Sequence, residues 1–113
     1  MLQASIGAVA LSLTGCKNTK TVIVFVNNSS VALSVDAASN GKKFKKKNIQ
    51  PGHTASQTYR SNDTVGTLVP VTGTATPAGG APLNLAGLEV TLGKTNTFTV
   101  TDLGLSFPAP VVT

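Results

Sequence analysis

Side chains that carry chemistry are scarce in this 113-residue chain. It has one cysteine (Cys16), one histidine (His53), one tyrosine, no tryptophan and four acids. A single cysteine excludes an intramolecular disulfide, so the fold must stand on burial and hydrogen bonding. One histidine and one cysteine nearly exclude zinc sites built on those ligands. The acids Asp36, Asp63, Glu89 and Asp102 lie far apart, and no pair has the spacing of a calcium loop or a metal triad. No CxxC, HExxH or Gly-x-Ser-x-Gly occurs, and Gly79-Gly80 lacks the helix and lysine of a phosphate cradle. His53 follows Pro51-Gly52, with only strand-type Thr54 and Ser56 after it. A general base needs an oriented partner and a nucleophile or substrate nearby, so His53 reads as an exposed turn position. Aromatic residues make up only 4% of the chain, which argues against a stacking platform for nucleic acid. No catalytic site and no cofactor are expected.

What is plentiful is Val, Thr, Ala, Gly, Ser and Leu. Branched Cβ atoms pack well on a pleated surface, so this is a β-domain composition. Apolar residues make up 41% of the chain and charged residues 12%, enough for one domain with a modest core. The net charge of +5 is local: five of the nine basic residues are Lys42, Lys43, Lys45, Lys46 and Lys47.

Residues 21–26 form a continuous apolar run (Val22, Ile23, Val24, Phe25, Val26), which predicts a strand covered on both faces. The cluster Asn27, Asn28, Ser29, Ser30 predicts a turn into an alternating strand at residues 31–36, paired with the first as a hairpin. Asn40-Gly41 is the strongest turn signal, since both residues accept positive φ. The lysine-rich segment 42–49 follows. Residues 53–60 read as a polar strand at a sheet edge, and residues 65–71 as the next strand. Residues 72–82, without charge and rich in Thr, Gly, Ala and Pro, predict a flexible loop. Alternation resumes at Leu88, Val90 and Leu92, and again at Phe98 and Val100 opposite Thr97, Thr99 and Thr101. Pro108 and Pro110 keep the tail out of a central strand. The expected architecture is an all-β antiparallel sandwich of about seven strands, immunoglobulin-like or transthyretin-like. The stretch 21–102 resembles uncharacterised sandwich modules of bacterial secreted proteins, through Val24 to Asn28, Pro51-Gly52, and Leu92-Gly93-Lys94 leading into Phe98-Thr99-Val100. That resemblance implies a fold and an extracytoplasmic home, with no activity.

The front end points the same way. Residues 2–13 are mostly small and apolar and too few to span a bilayer, and polar Lys17, Asn18, Thr19 and Lys20 follow Cys16. Leu13-Thr14-Gly15-Cys16 resembles the lipobox of bacterial lipoproteins: an aliphatic residue, two small residues, then cysteine. The resemblance implies that the leader is removed, that Cys16 is lipidated, and that it becomes the first mature residue. Lys17 in place of aspartate implies outer-membrane sorting in Gram-negative relatives. The organisation is then a leader at 1–15, a tether at 16–21 and a sandwich domain at 22–113. The other reading makes residues 2–13 an ordinary core segment and Cys16 a buried small hydrophobe.

The lysine cluster admits two readings as well. As a strand it sets Lys43, Lys45 and Lys47 on one face, with Lys42, Phe44 and Lys46 on the other. It is an edge strand protected from aggregation by charge, or a binding stripe for an anionic envelope surface; specific nucleic-acid binding is not expected. The leading expectation is a non-enzymatic, lipid-anchored protein on the periplasmic or surface side of the outer membrane, with a binding or structural role toward a surface, glycan or protein. The alternative is a subunit of a symmetric assembly, such as a pilus, secretion-channel ring or virion shell, packing its terminal segments on neighbours.

Overall fold

A computed structural model describes residues 18–102 and 109–113. The leader, Cys16 and Phe107 lie outside the described residues. Among the described residues nine strands follow in order: β1 (Thr19–Asn28), β2 (Leu33–Ser39), β3 (Lys42–Ile49), β4 (Thr54–Ser61), β5 (Leu68–Pro77), β6 (Leu83–Asn84), β7 (Glu89–Thr91), β8 (Thr95–Thr101) and β9 (Val111–Val112). They build two sheets. The first runs β9-β8-β1-β4; the second runs β3-β2-β5-β6, with β7 also pairing with β5. This is the expected all-β sandwich, with short β6, β7 and β9 raising the strand number. All pairs are antiparallel except β1 with β8, whose register runs from Val22↔Thr95 to Asn28↔Thr101. Parallel neighbours need a long crossover; here it contains the whole second sheet and β4. No helix of the described residues is long and apolar enough to cross a membrane.

The core lies between the sheets and is centred on three phenylalanines. Phe25 of β1 stacks on Phe98 of β8 with centroids 5.0 Å apart, and meets Phe44 of β3 at 4.8 Å. Each is 1% exposed. Leu33, Val35, Ala75, Leu85, Val90 and Val100 close around them. Each strand contributes alternate residues, because successive side chains point to opposite faces. On β1, Ile23 and Phe25 are buried while Val22, Val24 and Val26 are only half-buried. The apolar run is therefore covered fully on one face, not on both.

Three further expectations are corrected. The first two strands are not a hairpin: β1 and β2 lie in different sheets. The reason is Asn27, fully buried at the corner. Its Oδ1 accepts from the N–H and hydroxyl of Ser29, and its Nδ2 donates to the carbonyls of Val31 and Ile49 at 2.8 Å. The carboxamide satisfies backbone groups that a hairpin ladder would otherwise take, so the chain turns across the sandwich. Second, residues 72–77 are no loop but the second half of β5, paired with β2 from Leu33↔Pro77 to Ala38↔Thr72. Thr72 and Ala75 alternate outward and inward, and Gly73 has φ 112. A Cβ there would stand 2.2 Å from the Asp36 carbonyl oxygen, so glycine admits the close approach. Only residues 78–82 turn the chain. Third, β1 takes in Thr19–Thr21, which the sequence suggested as tether, because Thr19 and Thr21 continue the buried face. The Asn40-Gly41 turn stands as expected, with φ 53 and 71 closing Ser39 onto Lys42.

Candidate functional site

The lysine cluster forms β3, an edge of the second sheet. Phe44 and Ile49 anchor it in the core, and the five lysines and Asn48 take the remaining positions. Register settles where they point. Lys43 lies opposite Ala38, and Lys45 opposite Asp36, on the outer face. Lys42 and Lys46 lie opposite buried Ser39 and Val35, on the side of the first sheet. The ladder then slips: Leu33 pairs with Ile49 but Val35 with Lys46, leaving Lys47 and Asn48 to oppose Ser34. Asn48 takes φ 55 in this bulge, and its N–H donates to the Ser34 hydroxyl at 3.2 Å. The bulge removes Lys47 from the strict alternation that would align it with Lys43 and Lys45. The edge-strand reading holds for β3, and β4 is likewise the edge strand its polarity suggested.

The edges β3 and β4 lie on the same side of the sandwich. The Tyr59 hydroxyl on β4 donates to the Lys43 carbonyl oxygen and so joins them. Burial pushes the Tyr59 hydroxyl above its ordinary pKa of 10.0. Sequence reasoning missed this tyrosine, and it missed a second grouping. Around the start of β1, one depression is lined by Lys42 and Arg60, and an open cleft of about 590 Å³ by Lys20 and Lys94; both share Asn18 and Asp63. Arg60 donates to Asn18 Oδ1 at 3.2 Å. Four cations from β1, β3, β4 and the β7–β8 turn thus gather at one end of the sandwich with Asp63 among them. They are dispersed in sequence, and only the topology collects them.

Asp63 Oδ2 accepts from Asn40 Nδ2 at 2.9 Å, and its carbonyl accepts from the Thr19 hydroxyl. Asp102 Oδ1 accepts from the Ser30 N–H at 2.7 Å, and Asp36 faces Lys45 across the ladder. His53 is exposed at its turn, and its carbonyl accepts from the Asn27 N–H at 3.0 Å. Among the described residues no group of three His, Cys, Asp or Glu side chains could hold a metal ion. Asn96 is the counterpart of Asn27 at the other end of the parallel pair. Fully buried, it accepts from the Thr91 N–H and donates to the carbonyls of Thr91 and Lys94, holding the β7–β8 turn. Both asparagines are legible as polar residues continuing a buried alternation: 23, 25, 27 on β1 and 96, 98, 100 on β8. Cys16, the candidate lipidation residue, lies outside the described residues.

No protein-family model matches this chain, and a search of curated proteins finds no similar sequence.

Proposed function

We propose that this chain is a non-enzymatic binding module, held on a bacterial envelope by acyl chains at Cys16 and turned with its basic end toward an anionic surface. The observation that carries the reading is the gathering of Lys20, Lys42, Arg60 and Lys94 where β1 begins. Cys16 precedes Thr19 by three residues, a reach of at most about 11 Å. An anchor at that sulfur would bring this end of the sandwich, rather than the Asn27 end, against the headgroups. There each cation near an anionic surface contributes about 1 kcal/mol, and acylation supplies the remainder of the attachment. Lys43 and Lys45 extend the charge up the outer face of the second sheet.

Membrane fractionation of wild type and Cys16→Ser, with intact mass of the native protein, tests the anchor. The wild type should carry acyl mass on Cys16 and sediment with membranes, while the variant is released. An unprocessed, unmodified cysteine, or unchanged sedimentation of the variant, contradicts the reading. Vesicle binding at low salt tests the basic end. Replacing Lys20, Lys42, Arg60 and Lys94 by glutamine should abolish binding to phosphatidylglycerol vesicles, and added salt should weaken wild-type binding.

A further inference from the structure

A sheet edge exposes unpaired N–H and C=O groups, and proteins blunt such edges with shortness, lysine, proline or bulges. Three of the four edges formed by the described residues are blunted. β9 is two residues long and follows Pro110; β6 is two residues long and follows Pro82; its neighbour β7 is three residues long and opens on Glu89. β3 has five lysines and the Asn48 bulge. The fourth edge, β4, has none of these devices. It runs eight residues, Thr54–Ser61, in unbroken register with β1, without lysine or proline, and Arg60 is its only charge. None of its side chains is fully buried.

The ladder shows which groups of β4 the described residues leave open. The Val22 N–H donates to the Lys94 carbonyl, so even-numbered residues of β1 turn their backbone toward the β8 side. The Asn27 N–H donates to the His53 carbonyl, so odd-numbered residues turn toward β4. With the register Ile23↔Gln57 and Phe25↔Ala55, alternation aims the N–H and C=O of Thr54, Ser56, Thr58 and Arg60 outward. No other strand among the described residues pairs with β4.

We propose that β4 is a strand-addition site for an extended acidic segment of a partner protein. The charge around it selects the occupant. Lys42 and Lys46 stand on the β4 side of the neighbouring edge, and Lys42 lines one depression with Arg60 and another with Tyr59. A strand laid along β4 would form main-chain bonds to the open groups and direct carboxylates at these cations. A second copy of this chain is the poorer occupant. Pairing β4 with itself across a two-fold axis would bring two lysine-rich β3 edges together, which like-charge repulsion opposes. The lysines thus refuse self-association and admit an acidic strand. This site stands on the fold alone and does not require the anchor at Cys16.

The test is residue-resolved NMR of the full chain, titrated with a synthetic peptide alternating threonine and glutamate. Counterparts with glutamine or lysine in place of glutamate serve as controls. The acidic peptide should perturb residues 54–61 and slow exchange of the Thr54, Ser56, Thr58 and Arg60 amides. The glutamine peptide should bind about tenfold more weakly, and the lysine peptide should not bind. Thr58→Pro removes an outward N–H that the β1 ladder does not use, and should weaken binding at least about tenfold with the thermal midpoint retained. The wild-type exchange measurement needs no variant. Perturbation confined to the lysines, equal binding of the lysine peptide, full affinity in a folded Thr58→Pro variant, or self-association through β4 in sedimentation would each overturn the proposal.

Discussion

Two edge strands of equal length, β3 and β4, face the same side of this sandwich and are built on opposite plans. β3 sinks Phe44 and Ile49 into the core and covers the rest of itself with five lysines and a bulge. β4 buries no side chain fully and carries one charge. A strand that helps to hold the fold must also be kept from pairing with strangers, so β3 carries the lysines. A strand that contributes little to the core is free to offer its backbone. The Tyr59 hydroxyl is the bridge between the two. Stability and sociability are thus assigned to different edges, and the contrast can be attacked from either side.

The largest effect should come from the anchor of β3. Phe44→Ala removes a ring that contacts Phe25, and should cost about 3–5 kcal/mol in chemical denaturation. Next is Asn27→Ala, which removes the Asn27 donor from the Ile49 carbonyl and one of the two side-chain donors from the Val31 carbonyl, where the Ser29 hydroxyl remains, and so loosens the far end of β3. Losing the buried bond to Ile49, with the bonds to Val31 and Ser29, should cost about 2–3 kcal/mol. Tyr59→Phe should cost about 1 kcal/mol, the value of the single hydrogen bond tying the edges. The same residue adds a pH signature. Its native pKa is raised by burial, so the hydroxyl's contribution is complete below the ordinary value of 10.0 and is lost as pH climbs through the native value. Ultraviolet titration of the chain's one tyrosine should therefore show a midpoint above 10.0, and Tyr59→Phe should flatten the loss of stability over that alkaline range. The smallest effect should be Thr58→Lys on β4, within about 0.5 kcal/mol, because its side chain is exposed. A large loss there would mean that β4 also holds the fold together and would erase the contrast.

Much of this frame is legible in the order of the residues. The Asn40-Gly41 turn, the lysine strand, the polar edge at β4 and the alternation of β8 all follow from residue type and a two-residue period. Residues 72–77 do not read as strand, because Thr-Gly-Thr-Ala-Thr-Pro has the composition of a loop. Only the close approach of Gly73 to the Asp36 carbonyl shows why such small residues suit a central strand. The β1–β2 corner reads falsely as a hairpin because the Asn-Ser cluster signals a turn without saying whether it closes a hairpin or changes sheets. That choice is made by the Asn27 carboxamide and its distant partner, the Ile49 carbonyl. The basic end is hidden for a similar reason: Lys20, Lys42, Arg60 and Lys94 meet only through topology.

Amide hydrogen exchange of the free full-length chain, resolved along residues 54–61, tests the contrast between the edges most directly. Thr54, Ser56, Thr58 and Arg60 should exchange quickly while Ala55, Gln57 and Tyr59 are held by β1. Uniform slow exchange at all of these positions would mean that β4 is already covered, and that neither edge of this face is open.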